Sequence, residues 1–231
     1  AYAQLGRTNF MTSRIVFGAG SMKRPDGPRL LEIAFERGVN YIDTGRAYRN
    51  SEETLADFIK RRRDKIWIVS KAGHIGWPDM TLKPGEDAKA AKMYAEQLDE
   101  SLKALRTDTI DCYMIQGVQD GWVVTLDTVY DAFMKARKAG KVRFFGLSTH
   151  TNVPEVCELA ARSGRYDAIM LTVNPNSLAD LSPRIKAMRA AGIGLVSMKT
   201  SGPVGKDPKV YDSHYEQMFA GQKLSPYQRA Y

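Results

Sequence analysis

The sequence predicts an α/β fold, a (β/α)8 barrel of the TIM type with seven of its eight strand–helix units visible. Three observations point there. Helix, glycine and strand recur in that order at Arg37-Gly38-Val39, Ala139-Gly140-Lys141, Ser163-Gly164-Arg165 and Ala191-Gly192-Ile193. Each glycine suits the position just past a helix end, where a positive φ is needed. Between the helices lie short runs that are apolar throughout rather than alternating, as parallel strands covered on both faces are. No Gly-x-Gly-x-x-Gly follows the first run, which argues against a doubly wound dinucleotide-binding sheet.

Residues 1–14 are a polar lead-in, expected to form a short hairpin or lid outside the core. Ile15 to Gly18 is the first strand, ending in the turn Gly18-Ala19-Gly20-Ser21. Pro28 opens a helix carrying Leu30, Leu31, Ile33, Ala34 and Phe35, which stops at Gly38. Val39 to Ile42 is the second strand, and a helix over 51–62 follows, with Asn50 or Ser51 as its cap. Ile66 to Lys71 is the third strand, followed by a loop over 72–85. Tyr94, Leu98, Leu102 and Leu105 then mark an amphipathic helix over 87–105. Ile110 to Ile115 is the fourth strand, and the loop Gln116 to Trp122 leads to a helix near 125–139. Val142 to Leu147 is the fifth strand, with a helix near 153–162. Ala168 to Val173 is the sixth, with a helix near 183–191, and Ile193 to Met198 is the seventh. Residues 201–224 read as a long loop, and Ser225-Pro226 as a helix start. The expected organisation is one barrel domain over 1–231 that is incomplete at its carboxyl end. The eighth strand is missing from this sequence, and a seven-stranded open barrel would leave two raw sheet edges, so a fragment of a longer chain is expected.

A chain of 231 residues, 43% hydrophobic and 26% charged, is long enough for one sizeable core. The net charge of +8 suits an anionic ligand such as a nucleotide or phosphate. Nucleic acid is not the expected partner, because the basic residues are scattered. The one dense run, Lys60 to Arg63, ends a helix, where cations suit the dipole. Cys112 and Cys157 read as small buried apolar residues, not as a disulfide framework. No run of 18 apolar residues suggests a membrane span, and no secretory signal is present. The expected compartment is the cytoplasm, or the exterior if a signal segment preceded Ala1.

In a barrel, the carboxyl ends of the strands share one face, where chemistry is placed. On that face the sequence puts Gly20 and Ser21, Asp43, Lys71, Gln116, Ser148, Asn174 and Lys199. Lys71 ends an apolar strand and needs a partner, and Asp43 on the neighbouring strand is the natural one. Tyr48 lies five residues past Asp43. A lysine close to a tyrosine hydroxyl stabilises the phenolate, so the hydroxyl can give its proton to a substrate oxygen. A buried ion pair covered by a tyrosine is the equally simple structural reading. Lys199-Thr200-Ser201-Gly202-Pro203-Val204-Gly205-Lys206 suits a phosphate group, or is a plain surface loop.

The same residues resemble the aldo-keto reductases, in their bacterial branch, over nearly the whole chain. Gly38-Val39-Asn40-Tyr41-Ile42-Asp43-Thr44 with Tyr48, Ser51, Glu52 and Leu55 matches that family's most specific motif. Leu5 to Thr8 with Val16 to Gly20 is similar to its opening. Ser101 to Leu105 with Asp108 to Ile115, Gly140 to Ser148 and Gly192 to Thr200 are similar to the segments of strands four, five and seven. The resemblance implies an oxidoreductase that interconverts a carbonyl and an alcohol with NADP(H), acting on a small molecule. It implies Tyr48 as proton donor, Lys71 as its assistant and Asp43 as the holder of Lys71. Ser148 and Thr149 match positions that hold the carboxamide. Gly20, Ser21 and Met22 match the turn under the nicotinamide, and Lys199, Thr200 and Ser201 the loop along the pyrophosphate. The sequence departs from the family in three residues of the site. The catalytic histidine after strand four is Gln116, which can donate a hydrogen bond but not act as an acid or base. The strand-six glutamine that helps hold the carboxamide is Met170, and the aromatic that often stacks on nicotinamide is Met198. The segment that grips the adenosine 2′-phosphate follows strand eight, outside this sequence, which is expected to weaken NADP(H) binding. The alternative reading is a barrel of the same descent turned to nucleotide-dependent regulation or to non-redox acid/base chemistry. Trp77, Met80 and Trp122, in the loops 72–85 and 116–124, are expected to wall the pocket or to pack the loops, and the loop 201–224 to line it.

Overall fold

The structure, a computed structural model, describes residues 1–22, 26–73 and 82–200. Its centre is a parallel sheet. The strands are β3 (Phe17–Gly18), β4 (Tyr41–Asp43), β5 (Trp67–Ala72), β6 (Ile110–Ile115), β7 (Val142–Thr149), β8 (Ala168–Thr172) and β9 (Gly194–Met198), after an antiparallel pair β1 (Tyr2–Gln4) and β2 (Met11–Ser13). The sheet order runs β3-β4-β5-β6-β7-β8-β9, so each strand lies beside the next in sequence, and every pairing is parallel. The helices between them are α1 (Gly27–Glu36), α2 (Ser51–Arg62), α3 (Asp87–Leu105), the short α4 (Gly121–Val124), α5 (Asp127–Lys138), α6 (Val153–Ser163) and α7 (Pro175–Ala190). This is a partial (β/α)8 barrel with seven parallel strands among the described residues. Gly38, Gly140, Gly164 and Gly192 all have φ between 67° and 87°, the helix-ending conformation that a side chain strains.

Both faces of the sheet are buried, which is why its strands are apolar throughout. The outer face packs under the helices through Ile42, Ile68, Tyr113, Ile115, Phe145, Leu147 and Ile169. The inner face is a second core of Tyr41, Trp67, Val69, Cys112, Met114, Ala168, Met170 and Val196. The inner layers follow the register. Lys71 pairs with Met114, Met114 with Gly146, Gly146 with Ala168 and Ala168 with Gly194. The glycine is required at 146: a Cβ there would stand 2.7 Å from the Ala168 carbonyl oxygen and 2.8 Å from Met114.

The amino-terminal segment forms a hairpin, but it is more than a lid outside the core. Leu5 is 3% exposed and belongs to the inner core, and Phe10 stacks on Trp67 with centroids 4.6 Å apart. The Arg7 N–H donates to the Gly192 carbonyl, and the Arg7 side chain pairs with Asp167 at 2.7 Å. The hairpin therefore floors the amino-terminal end of the barrel and leaves the carboxyl ends of the strands open for chemistry.

Three local expectations are corrected. The helix near 183–191 begins at Pro175, because Asn174 caps it and Pro183 is accommodated inside it. The loop after β6 contains α4. Neither Asn50 nor Ser51 caps α2 with its side chain. The Ser51 hydroxyl instead donates to the Ala19 carbonyl at 2.9 Å and meets the Thr44 hydroxyl at 2.8 Å, tying the ends of β3 and β4 to the start of α2. Among the described residues no helix is long and apolar enough to cross a membrane. Cys112 and Cys157 are buried free thiols. Burial pushes the Cys112 thiol well up, and that of Cys157 to about 12.

Candidate active site

β4 ends at Asp43 and β5 carries Lys71 one residue before its end, so two charged groups meet on adjacent strands. Their separation is 2.5 Å between Lys71 Nζ and Asp43 Oδ1. The contact is an ion pair without aligned hydrogen-bond geometry, and the ammonium donates instead to the Thr44 carbonyl at 2.7 Å. The Lys71 side chain is 1% exposed. Burial acts to lower its pKa, but the Asp43 carboxylate and then Tyr48 outweigh it and hold Lys71 above the ordinary lysine value. Lys71 is therefore a fixed cation at neutral pH. Burial pushes the Asp43 carboxyl up, and Lys71 pulls it back only in part.

The chain leaves β4 through Thr44 and Gly45 into a single 3-10 turn, Arg46–Tyr48, closed by the Tyr48 N–H on the Gly45 carbonyl at 2.9 Å. This turn brings the half-buried Tyr48 ring over Lys71, with Nζ 4.8 Å from the ring centroid. Arg49 next to it has a φ of 56°, an unfavourable backbone conformation for a residue with a side chain. Gly20 also lies against the ring. A Cβ on it would be 3.6–3.7 Å from three ring atoms. Gly20 and Ser21 form the 3-10 turn Ala19–Ser21, and Met22, buried, follows it.

Gln116 comes directly after β6 and is 3% exposed. Its Oε1 is buried without a partner, beside Gly45 and Gly73, where Cβ atoms would stand 3.3 and 3.6 Å from it. Ser148 on β7 pairs in register with Met170 on β8, and Met170 with Val196 on β9. The Ser148 hydroxyl accepts from the Gly117 N–H at 2.9 Å, which leaves its own proton to donate elsewhere. Thr149 is fully buried and donates to the Thr151 carbonyl at 2.8 Å. Met198 ends β9. Lys199 has a φ of 56°, and Thr200 donates to the Ser197 hydroxyl at 3.3 Å. The structure thus gathers Asp43, Tyr48, Lys71, Gly20 and Gln116 at one end of the sheet. Ser201, Trp77, Met80 and the loop 201–224 lie outside the described residues. Trp122 packs against the helix-side core rather than standing free.

Sequence reasoning missed His150 and Thr172. His150 continues the inward alternation of Gly146 and Ser148, and Thr172 that of Ala168 and Met170. The His150 Nδ1 lies 3.2 Å from the Thr172 hydroxyl. Burial, then the charges of Lys199 and Lys71, lower its pKa and favour the neutral imidazole. The period of two was legible, but His150 follows the last apolar position of its run, and Thr172 is a single hydroxyl inside an apolar one. Among the described residues no group of three potential metal ligands occurs.

Comparison with known proteins bears on this geometry. A family model for the aldo/keto reductase family matches residues 8–214. An uncharacterized oxidoreductase of Bacillus subtilis, YqkF, is 29% identical over 210 residues, covering 88% of this chain and 64% of its own length. An NADP(+) aryl-alcohol dehydrogenase of Phanerodontia chrysosporium is 26% identical over 157 residues, 63% of this chain and 40% of its own. The chain thus spans less than two thirds of the length of these relatives. A solved Pseudomonas aeruginosa structure, assigned to the aldo-keto reductases, superposes with a TM-score of 0.71 at 26% identity, covering 86% of this chain and 78% of that one. With the family model matching most of its residues and the same barrel beneath them, the chain belongs to the aldo/keto reductase family.

Proposed function

We propose that this protein is an NADP(H)-dependent oxidoreductase that interconverts an aldehyde or ketone and its alcohol, with Tyr48 as proton donor. The observation that carries this reading is the buried Lys71 ammonium, paired with Asp43 and set 4.8 Å from the Tyr48 ring centroid. A permanent cation there has a chemical use: it stabilises the phenolate that Tyr48 becomes when its proton passes to the carbonyl oxygen. Asp43 keeps Lys71 charged and oriented. The Gln116 amide donates a hydrogen bond to the same carbonyl oxygen and polarises it, without exchanging a proton.

The residues at the strand ends fit a nicotinamide cofactor. The Ser148 hydroxyl has a proton left to donate to a carboxamide oxygen, and Gly20 leaves open the space beside Tyr48. When bound, the nicotinamide supplies the hydride. Ser148 would hold its carboxamide end, with Asp43 and Met170 beside it, while Thr149, one residue on along β7, keeps its hydroxyl on the Thr151 carbonyl. The backbone of the turn from Gly20 to Met22 would run along the ring with Met198, while the Met22 side chain packs in the helix-side core, and Lys199 and Thr200 would hold the pyrophosphate. The reading takes the chain as one cytoplasmic domain acting on small molecules, and the NADP(+) dehydrogenase among its relatives supports the choice of cofactor.

The test is titration of the full chain with NADPH and with NADH, followed by quenching of tryptophan fluorescence, and the same titration of Tyr48→Phe. Saturable binding of NADPH by both proteins, with turnover of an aromatic aldehyde lowered about 100-fold or more in Tyr48→Phe, is expected. Binding of neither cofactor, or unchanged turnover in Tyr48→Phe, overturns the reading. Gln116 favours one second reading, a barrel no longer used for carbonyl reduction. That reading predicts cofactor binding with no turnover of any aldehyde in the wild-type chain.

A further inference from the structure

Behind the Asp43–Lys71 pair, on the outer face of the same strands, lies a second set of charges that proton transfer does not call for. Glu52, on the first turn of α2, is completely buried. One of its carboxylate oxygens, Oε1, accepts a hydrogen bond from the Ser70 hydroxyl at 2.5 Å, and the other, Oε2, pairs with Arg46. Arg46 also reaches Glu100 on α3 at 3.3 Å and Glu53 at 4.0 Å. Arg46 is the first residue of the 3-10 turn that ends in Tyr48. Ser70 is the residue before Lys71 on β5, and successive strand residues point to opposite faces, so Ser70 faces the helices while Lys71 faces the interior. The Glu52 carboxylate therefore has one oxygen on the turn that carries Tyr48 and the other on the strand that carries Lys71.

We propose that Arg46, Glu52 and Ser70 are positioning residues that clamp the Tyr48 turn to β5 and so set the approach of Tyr48 to Lys71. The proposal rests on the function read above. A buried ion pair is about as stable as well-packed apolar side chains in its place, so stability alone gives Glu52 no advantage over a leucine. Geometry does. Inside the barrel, the turn is held to β5 through Thr44, whose N–H donates to the Val69 carbonyl at 2.9 Å and whose carbonyl accepts from Lys71 at 2.7 Å, two residues short of Arg46. The clamp adds an anchor on the opposite face and removes the freedom of the turn to pivot about Thr44. A misplacement of about 1 Å at reacting groups costs up to ~100-fold in rate, so such an anchor acts on turnover.

The test compares the full chain with Ser70→Ala, Arg46→Met, Arg46→Lys and Glu52→Gln, using NADPH and an aromatic aldehyde, with Tyr48→Phe in parallel. The expected result for Ser70→Ala and Arg46→Met is a kcat lowered about 10–100-fold, with NADPH affinity and aldehyde KM within about 3-fold of wild type. The basic limb of the kcat–pH profile moves upward as Lys71 draws away from Tyr48, and Arg46→Lys recovers part of the loss. A merely structural role would lower the melting temperature and leave kcat and the pH profile of the folded fraction unchanged, which overturns the proposal. Should Glu52→Gln fail to fold, Ser70→Ala and the partly exposed Arg46 decide the matter. A crystal structure of Ser70→Ala gives a readout independent of activity. Lengthening of the 4.8 Å separation between Lys71 Nζ and the Tyr48 ring supports the clamp, and an unchanged separation overturns it. If Tyr48→Phe turns over like wild type, the proton-donor reading fails, and the distance still tells whether the clamp exists.

Discussion

Lys71 is the residue whose sequence context spoke most plainly. A lysine at the end of an apolar strand demands a counter-charge, and Asp43 stands 2.5 Å away. His150 gave no such signal, since a single imidazole after Ser148-Thr149 is as compatible with a loop as with the barrel mouth. Its effect on stability has a definite sign. Its folded pKa lies below the ordinary value of 6.5, so the folded protein binds fewer protons there than the unfolded chain does as pH falls through that value. The contribution of His150 is fully present above pH 6.5 and is lost as pH drops toward the folded pKa. Wild type is therefore expected to lose more melting temperature than His150→Gln on going from pH 7.5 to 5.5, with carboxylate effects common to both. Equal losses in thermal melts of the two proteins would place the imidazole in open solvent.

The elements were legible where apolar period and end signals agree, and obscure where a proline gave a false start. α3 has the bounds that its spacing predicts, and α2 has the expected bounds although no side chain caps it. α7 does not: Pro183 reads as a first helical residue, yet the helix had already started at Pro175. Its buried or half-buried stripe of Leu181, Ile185 and Met188 spans positions i, i+4 and i+7, so period alone could not reveal the earlier turns. What starts the helix is Asn174. Its side chain accepts from the Asn176 N–H at 3.1 Å, while its own N–H donates to the Ser177 hydroxyl at 3.1 Å. Removing a cap of this kind costs about 1 kcal/mol. Asn174→Ala is accordingly expected to lower the melting temperature by about 2–4 °C in differential scanning calorimetry. Asn174→Asp, which keeps the acceptor and adds charge at the helix start, should retain the wild-type value. The clamp of Arg46, Glu52 and Ser70 was hidden for another reason. Its members belong to a turn, a helix and a strand, and no local spacing relates them.

At the scale of the whole molecule, the barrel assigns its two ends to different work. The carboxyl ends hold the buried ion pair, the Tyr48 turn and Gln116, while the amino-terminal hairpin closes the floor by stacking Phe10 on Trp67 and Trp67 on Phe144, with centroids 4.6 and 5.3 Å apart. Between them the inner core of Val69, Cys112, Met114 and Ala168 is continuous and packed. In barrels of this kind, residues at the amino-terminal end act on stability and residues at the carboxyl ends on chemistry. Phe10→Ala tests that division. Phe10 is partly exposed, so its truncation is expected to cost less than the ~3–5 kcal/mol of a fully buried phenylalanine, about 1–3 kcal/mol. The emission of Trp67 should move to longer wavelength as water reaches the floor. The affinity for NADPH should stay within about 2-fold of wild type, because distant sites that share no partner residues act independently. Denaturant unfolding and cofactor titration of the same variant read both quantities. A large loss of affinity without loss of stability would mean that the hairpin is coupled to the cofactor end, and would remove the floor from its purely structural role.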